Sequence, residues 1–220
     1  MKTRQILLAA AILVAFSACK NKPGVTKGAE TTAPVQTVEN KTTEAYTFHK
    51  YGIKSGIVTF ETSMVGMKIK SVLYFDDYGA KEADEKYTGE NVKSITVCDG
   101  KEMYDLIPSQ KTAISGGTCG SGRGIAFRFA WDEVSKEDQA KGKKLANMNV
   151  AGKDCEAFSI DLGSSVTVYA GWKNICLYLK TSSKEVGDAV IQAVKIEENV
   201  EIPASKFKVP DGYEIKKSAF

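Results

Sequence analysis

The stretch Met67-Lys-Ile-Lys-Ser-Val-Leu-Tyr-Phe75 constrains the fold more than any other part of the chain. On an extended backbone Met67, Ile69, Leu73 and Phe75 fall on one side, and Lys68 and Lys70 on the other. That alternation specifies a half-buried strand. Residues 57–64 form a second strand across the turn Val65-Gly66, and Asp76-Asp77-Tyr78-Gly79 supplies the next reversal. The arrangement repeats in residues 92–98, Asp99-Gly100 and 103–107, and again in 154–162, Gly163-Ser164-Ser165 and 166–179. Residues 189–200 read as a long closing strand, punctuated by Pro203 and Pro210. Helical signal is confined to a capping box at Ser135-Lys-Glu-Asp138, with a short helix to about Lys141 before Gly142, and a turn near residues 182–186. The expected domain is mainly β with short helices, an α+β antiparallel meander over residues 46–220.

The N-terminus carries a different signal. Lys2 and Arg4 precede an apolar run over residues 6–16 that is too short for a membrane span. The run ends in Phe16-Ser17-Ala18-Cys19, which resembles a lipobox, with Phe16 in place of the usual Leu. Residues 1–18 are therefore expected to be removed as a signal peptide, leaving Cys19 as the lipid-carrying first residue. Residues 19–45 are rich in Lys, Thr, Glu, Gly, Pro and Ala, with Val25, Val35 and Val38 as the sizeable hydrophobes, and read as a flexible tether. Lys20-Asn21-Lys22 lacks an acidic sorting cluster, so the expected location is the outer membrane, facing the periplasm.

Loss of Lys2 and Arg4 with the signal lowers the formal charge from +3 to +1. The remaining charges are interspersed, which disfavours nucleic acid as a partner. The expected partners are the membrane, through Cys19, and a hydrophobic ligand.

Four cysteines follow the signal: Cys98, Cys119, Cys155 and Cys176. An even number in an exported protein points to disulfides, and three connectivities are possible. The equal separations of 21 positions favour 98 with 119 and 155 with 176. In a reducing periplasm the four would serve as small buried hydrophobes. No C-x-x-C pair exists and His49 is the single histidine, so neither a metal site nor dithiol redox chemistry is expected, and no cofactor.

Gly124-Ile-Ala-Phe-Arg-Phe-Ala-Trp131 places Ile125, Phe127, Phe129 and Trp131 on one strand face, suited to an apolar pocket or to ordinary core filling. Met64 and Met67 flank a turn as adaptable apolar groups. The glycine-rich segment over residues 116–124, with Arg123, lacks the Gly-Lys-Ser/Thr ending of a phosphate loop and runs toward a strand, so a mobile loop is the expectation. His49 alone cannot build a triad. The pairs Asp76/Asp77 and Glu197/Glu198 are adjacent in sequence and point to opposite faces of a strand, which disfavours a carboxylate dyad. No enzyme is expected.

Val150-Ala-Gly-Lys-Asp-Cys155, Trp172-Lys-Asn-Ile-Cys-Leu-Tyr-Leu-Lys180, Ala193-Val-Lys-Ile-Glu-Glu-Asn199 and Phe207-Lys-Val-Pro-Asp-Gly-Tyr213 together resemble the C-terminal half of LolA-like periplasmic proteins, and Tyr74-Phe-Asp-Asp-Tyr-Gly79 suits an uncharacterised lipoprotein branch of that superfamily. The resemblance covers residues 46–215. It implies an open antiparallel half-barrel of LolA/LolB type around short helices, with an apolar inner face for lipid or lipoprotein acyl chains. Met67, Ile69, Leu73, Phe75, Ile125, Phe127, Phe129 and Trp131 are the expected lining. A lipidated Cys19 departs from a freely diffusing carrier, and four cysteines exceed what the family needs. The alternative is a non-catalytic structural or protein-interaction lipoprotein whose core is filled by its own side chains.

Overall fold

A computed structural model describes residues 49–119, 128–129, 136–185 and 187–218. Residues 1–48, on which the expected signal peptide, Cys19 and the expected tether fall, lie outside the described residues, as do Ile125, Phe127, Trp131 and Ser135.

Among the described residues, thirteen strands build one sheet. They are β1 (Gly56–Met64), β2 (Met67–Asp76), β3 (Lys81–Thr88), β4 (Asn91–Cys98), β5 (Glu102–Ile107), β6 (Thr112–Thr118), β7 (Gly142–Lys144), β8 (Met148–Val150), β9 (Lys153–Asp161), β10 (Ser165–Trp172), β11 (Ile175–Ser183), β12 (Gly187–Glu198) and β13 (Glu214–Lys217). The order is β13-β6-β5-β4-β3-β2-β1-β12-β11-β10-β9-β7, with β8 also on β9. Every pairing is antiparallel except β13 on β6. β13 and β7 are edges, so the sheet is open and does not close into a barrel. The helix α1 (Lys136–Lys141) stops before Gly142, as its sequence implies.

Most hairpins follow the turn chemistry, but one strand divides where a single one is expected. Residues 166–179 form β10 and β11, reversed at Lys173-Asn174, where φ is 47° and 61°. Asn tolerates the left-handed region, so this pair makes a hairpin turn without glycine. β3 is the strand least visible in the sequence: Lys-Glu-Ala-Asp-Glu-Lys-Tyr-Thr has no apolar alternation. Its buried Glu82 is held by the Lys50 ammonium at 2.7 and 2.9 Å and by the Tyr51 hydroxyl at 2.5 Å. Such pairing is what permits a carboxylate to lie inside.

Two cores hold the sheet. The larger gathers Tyr51, Ile53, Val58, Phe60, Leu73, Phe75, Val150, Cys155, Ile175 and Leu177. Tyr51 packs edge-on against Phe75, with ring centroids 4.8 Å apart. The smaller core joins Ala83, Val97, Leu106 and Ala113 to Ile202 and Phe207 of the C-terminal segment. That segment is also held by Lys206 paired with Glu85, and by the Ser55 hydroxyl donating to the Val200 carbonyl at 2.7 Å.

Cys98 and Cys119 form a disulfide, with Cα atoms 5.6 Å apart. The expected second bridge does not form, and Cys155 and Cys176 are buried free thiols. The reason is topological. β10 lies between β9 and β11, and Gly171 pairs with both Glu156 and Cys176. Two strand spacings put the cysteines roughly 9.6 Å apart, beyond a disulfide's reach. Equal sequence separation carries no information about an intervening strand.

Candidate functional site

The register aligns side chains from six strands on one sheet face. Ile69 of β2 faces Thr62 of β1, which faces Ile191 of β12. Ile191 faces Leu179 of β11, Leu179 faces Tyr169 of β10, and Tyr169 faces Phe158 of β9. Directly opposed residues in adjacent strands share a face, so these six make one continuous row. A second row, one step nearer the β1–β2 turn, runs Met67, Met64, Ala189, Thr181, Thr167, Ile160.

The face changes character along β2. Leu73 and Phe75 are fully buried beneath Tyr51 and Ile53, whereas Met67 is 55% and Ile69 39% exposed. Thr62, Ile191, Leu179 and Tyr169 are half-buried. Phe158 is buried at the far end, where the Phe129 ring lies 5.8 Å from it. Phe129 sits so close to β10 that a Cβ on Gly171 would meet its ring carbon at 2.0 Å. Only glycine permits that approach. The Phe129 N–H donates to the Asn174 carbonyl at 3.0 Å, which fixes the ring's backbone to the β10–β11 turn.

The structure therefore separates the expected lining residues. Ile69 and Phe129 stand at opposite ends of the same row, and Met67 belongs to the second row. Leu73 and Phe75 belong to the self-filled core and offer a ligand nothing. Thr62, Ile191, Leu179 and Tyr169 join the site although single-strand patterns do not mark them, because what unites them is register.

The electrostatics are quiet on this face. Thr167 and Thr181 share a hydroxyl hydrogen bond at 3.2 Å, so the polar members of the second row satisfy each other. Burial pushes the Tyr169 hydroxyl above its ordinary range. Burial also pushes the Cys176 thiol up to about 12, and Cys155 upward, leaving both thiols protonated and weakly nucleophilic. Among the described residues no group of three or more His, Cys, Asp or Glu is placed to hold a metal, and no helix is long and apolar enough to cross a membrane. A shallow open cleft of about 230 Å³ lies beside the β1–β2 turn, lined by Met64, Val65, Met67, Lys68, Asp188 and Val190.

The fold and this face define a class: an open antiparallel sheet of half-barrel type with an apolar row across one surface. No protein-family model matches the sequence, and no curated protein matches it. Among solved structures, an uncharacterized conserved protein from Thermus thermophilus shares the fold at 8% identity, with a TM-score of 0.52 over 75% of this chain and 91% of that one. The chain is also similar to MucB in the Pseudomonas aeruginosa MucA/MucB complex, at 12% identity and TM-score 0.47 over 70% of this chain and 55% of that one. It thus spans about half the length of that chain. A LolA superfamily protein, NE2245 from Nitrosomonas europaea, is similar at 10% identity and TM-score 0.34, over 70% of this chain and 90% of that one.

Proposed function

We propose that this chain is a cell-envelope lipoprotein, held through Cys19 on the periplasmic side of the outer membrane, that binds a lipid or the acyl chains of another lipoprotein across its open sheet. The observation that carries the reading is the row Ile69, Thr62, Ile191, Leu179, Tyr169, Phe158, apolar at five of six positions and half-exposed over most of its length. Residues on neighbouring strands lie about 4.8 Å apart, so the row is about 24 Å long, the scale of an extended acyl chain. Binding there requires no catalytic group.

A fluorescent fatty acid titrated into the purified full-length protein tests this, with native mass spectrometry of protein drawn from cells as the companion measurement. Uptake is expected, and Ile191→Lys, which sets an ammonium in the middle of the row, should weaken it at least tenfold while leaving the thermal midpoint within a few degrees. Recovery of the apo mass alone, with no fatty-acid uptake, would sink ligand binding. The protein-interaction reading would then stand, favoured by the complete burial of Leu73 and Phe75 under the chain's own Tyr51 and Ile53.

A further inference from the structure

The exposed apolar residues are not spread evenly. Of the seven large hydrophobic side chains exposed among the described residues, six lie toward one end of the sheet: Val65, Met67, Ile69, Leu162, Val166 and, on the edge strand β13, Ile215. Val65, in the β1–β2 turn, is 69% exposed, and Leu162, in the β9–β10 turn, is 58% exposed. β12 and β11 intervene between these hairpins, so the two tips stand about 19 Å apart on the same rim. The opposite rim holds none of the seven. Its turns present Asp77, Asp99, Lys101, Lys173, Asn174 and Asn199.

Local chemistry singles out the first tip. Val65 and Gly66 take φ of 47° and 79°, the conformation of a two-residue hairpin turn that asparagine and glycine favour. A β-branched residue resists that conformation, and water gains nothing from an exposed isopropyl group. Among the described non-glycine residues with positive φ, Val65 is the β-branched one, and it projects an apolar group outward, a departure of the kind kept for function. Behind the tip, Lys68 and Lys70 are exposed on the face opposite Met67 and Ile69; Glu61 pairs across from Lys70, and Asp188, which lines the cleft with Lys68, is taken up by the Lys180 ammonium at 2.8 Å.

We infer that this rim docks on an anionic lipid bilayer, with Val65 and Leu162 entering the headgroup boundary and Lys68 and Lys70 above it facing acidic lipids. Apolar tips backed by basic residues supply both attractions that peripheral membrane contacts use. The inference rests on the lipoprotein reading in one respect, the arm that keeps the domain near a surface. The covalent chain from Cys19 to His49 could reach at most about 100 Å, well beyond the roughly 33 Å length of the ten-residue β2. Docking would bring the open end of the ligand row to the membrane surface.

The test uses the full lipidated chain carrying Val65→Trp, reconstituted in vesicles of phosphatidylcholine with or without phosphatidylglycerol, the acyl chains brominated. The wild-type chain, with Trp131 and Trp172, gives the background. The added indole should be quenched several-fold more strongly in vesicles containing phosphatidylglycerol. Lys68→Gln and Lys70→Gln should each weaken the contact about fivefold, the loss of one basic residue at an anionic surface. No quenching of the added indole, or equal quenching in both compositions, overturns the proposal. The lysine variants should keep fatty-acid uptake intact. Uptake lost while quenching persists would count against the ligand reading alone, and quenching lost while uptake persists against the docking alone.

Discussion

At the scale of single residues, two positions show how local physics and packing compete. Val65 occupies a left-handed turn position at an energetic cost on the order of 1 kcal/mol or more. Val65→Asn should accordingly raise unfolding stability by about 1 kcal/mol in a denaturant titration, and a variant no more stable than wild type would mean that the turn is unstrained. Gly171 is the reverse case. It lets the Phe129 ring rest on β10, so Gly171→Ala must displace that ring or the strand. The expected loss is about 1 to 3 kcal/mol, the usual range for overpacking, read from chemical denaturation. Neither effect is visible in hydropathy. Val65 looks like part of an apolar run, and Gly171 looks like a defect in a strand.

At the scale of elements, the hairpins were legible because each is bounded by its own turn residues, and β2 declared its two faces through Lys68 and Lys70. β3 was not legible, since its buried Glu82 depends on Lys50 and Tyr51, more than thirty positions away. The candidate site was half legible for the same reason. Ile69 and Phe129 belong to strongly patterned segments, whereas Ile191 sits in the continuous apolar run Ala189-Val190-Ile191 and acquires a facing only from its pairing with Thr62 and Leu179. The cysteines teach the same lesson. The disulfide ties the end of β4 to the end of β6, and its removal by Cys98→Ala should cost about 2 to 4 kcal/mol. Cys155 and Cys176, buried with raised thiol pKa, should resist alkylation in the native protein at pH 8 and react fully once it is unfolded. Rapid labelling of either in the folded state would contradict the burial.

At the scale of the whole molecule, an open sheet spreads two cores over a long surface and leaves polar groups partly enclosed at their margins. Asp84 of β3 is one. Burial holds its carboxyl above the ordinary range, outweighing the opposing effects of Lys86 and Ser71. A carboxyl with a raised folded-state pKa binds its proton more tightly in the native protein than in the unfolded chain. Its favourable contribution is therefore complete below about pH 4 and is lost as pH rises through the raised value. Asp84→Asn should make the protein more stable than wild type at pH 7, with the difference shrinking toward zero below pH 4 in parallel thermal melts. A difference independent of pH would assign the effect to packing.

The segment over residues 49–55 gives the fold a mechanical property. His49 stacks on Tyr78, the Tyr51 N–H donates to the Tyr78 carbonyl, and the Gly52 N–H donates to the Lys173 carbonyl at 2.8 Å. A pull on the chain at His49 would be borne first by these clasps and by the Tyr51 ring wedged against Phe75, at the rim remote from Met67. β1 would not be peeled from β12 until they failed. A load entering the domain at His49 would thus meet these contacts before the seam of strands that carries Ile69 and Ile191.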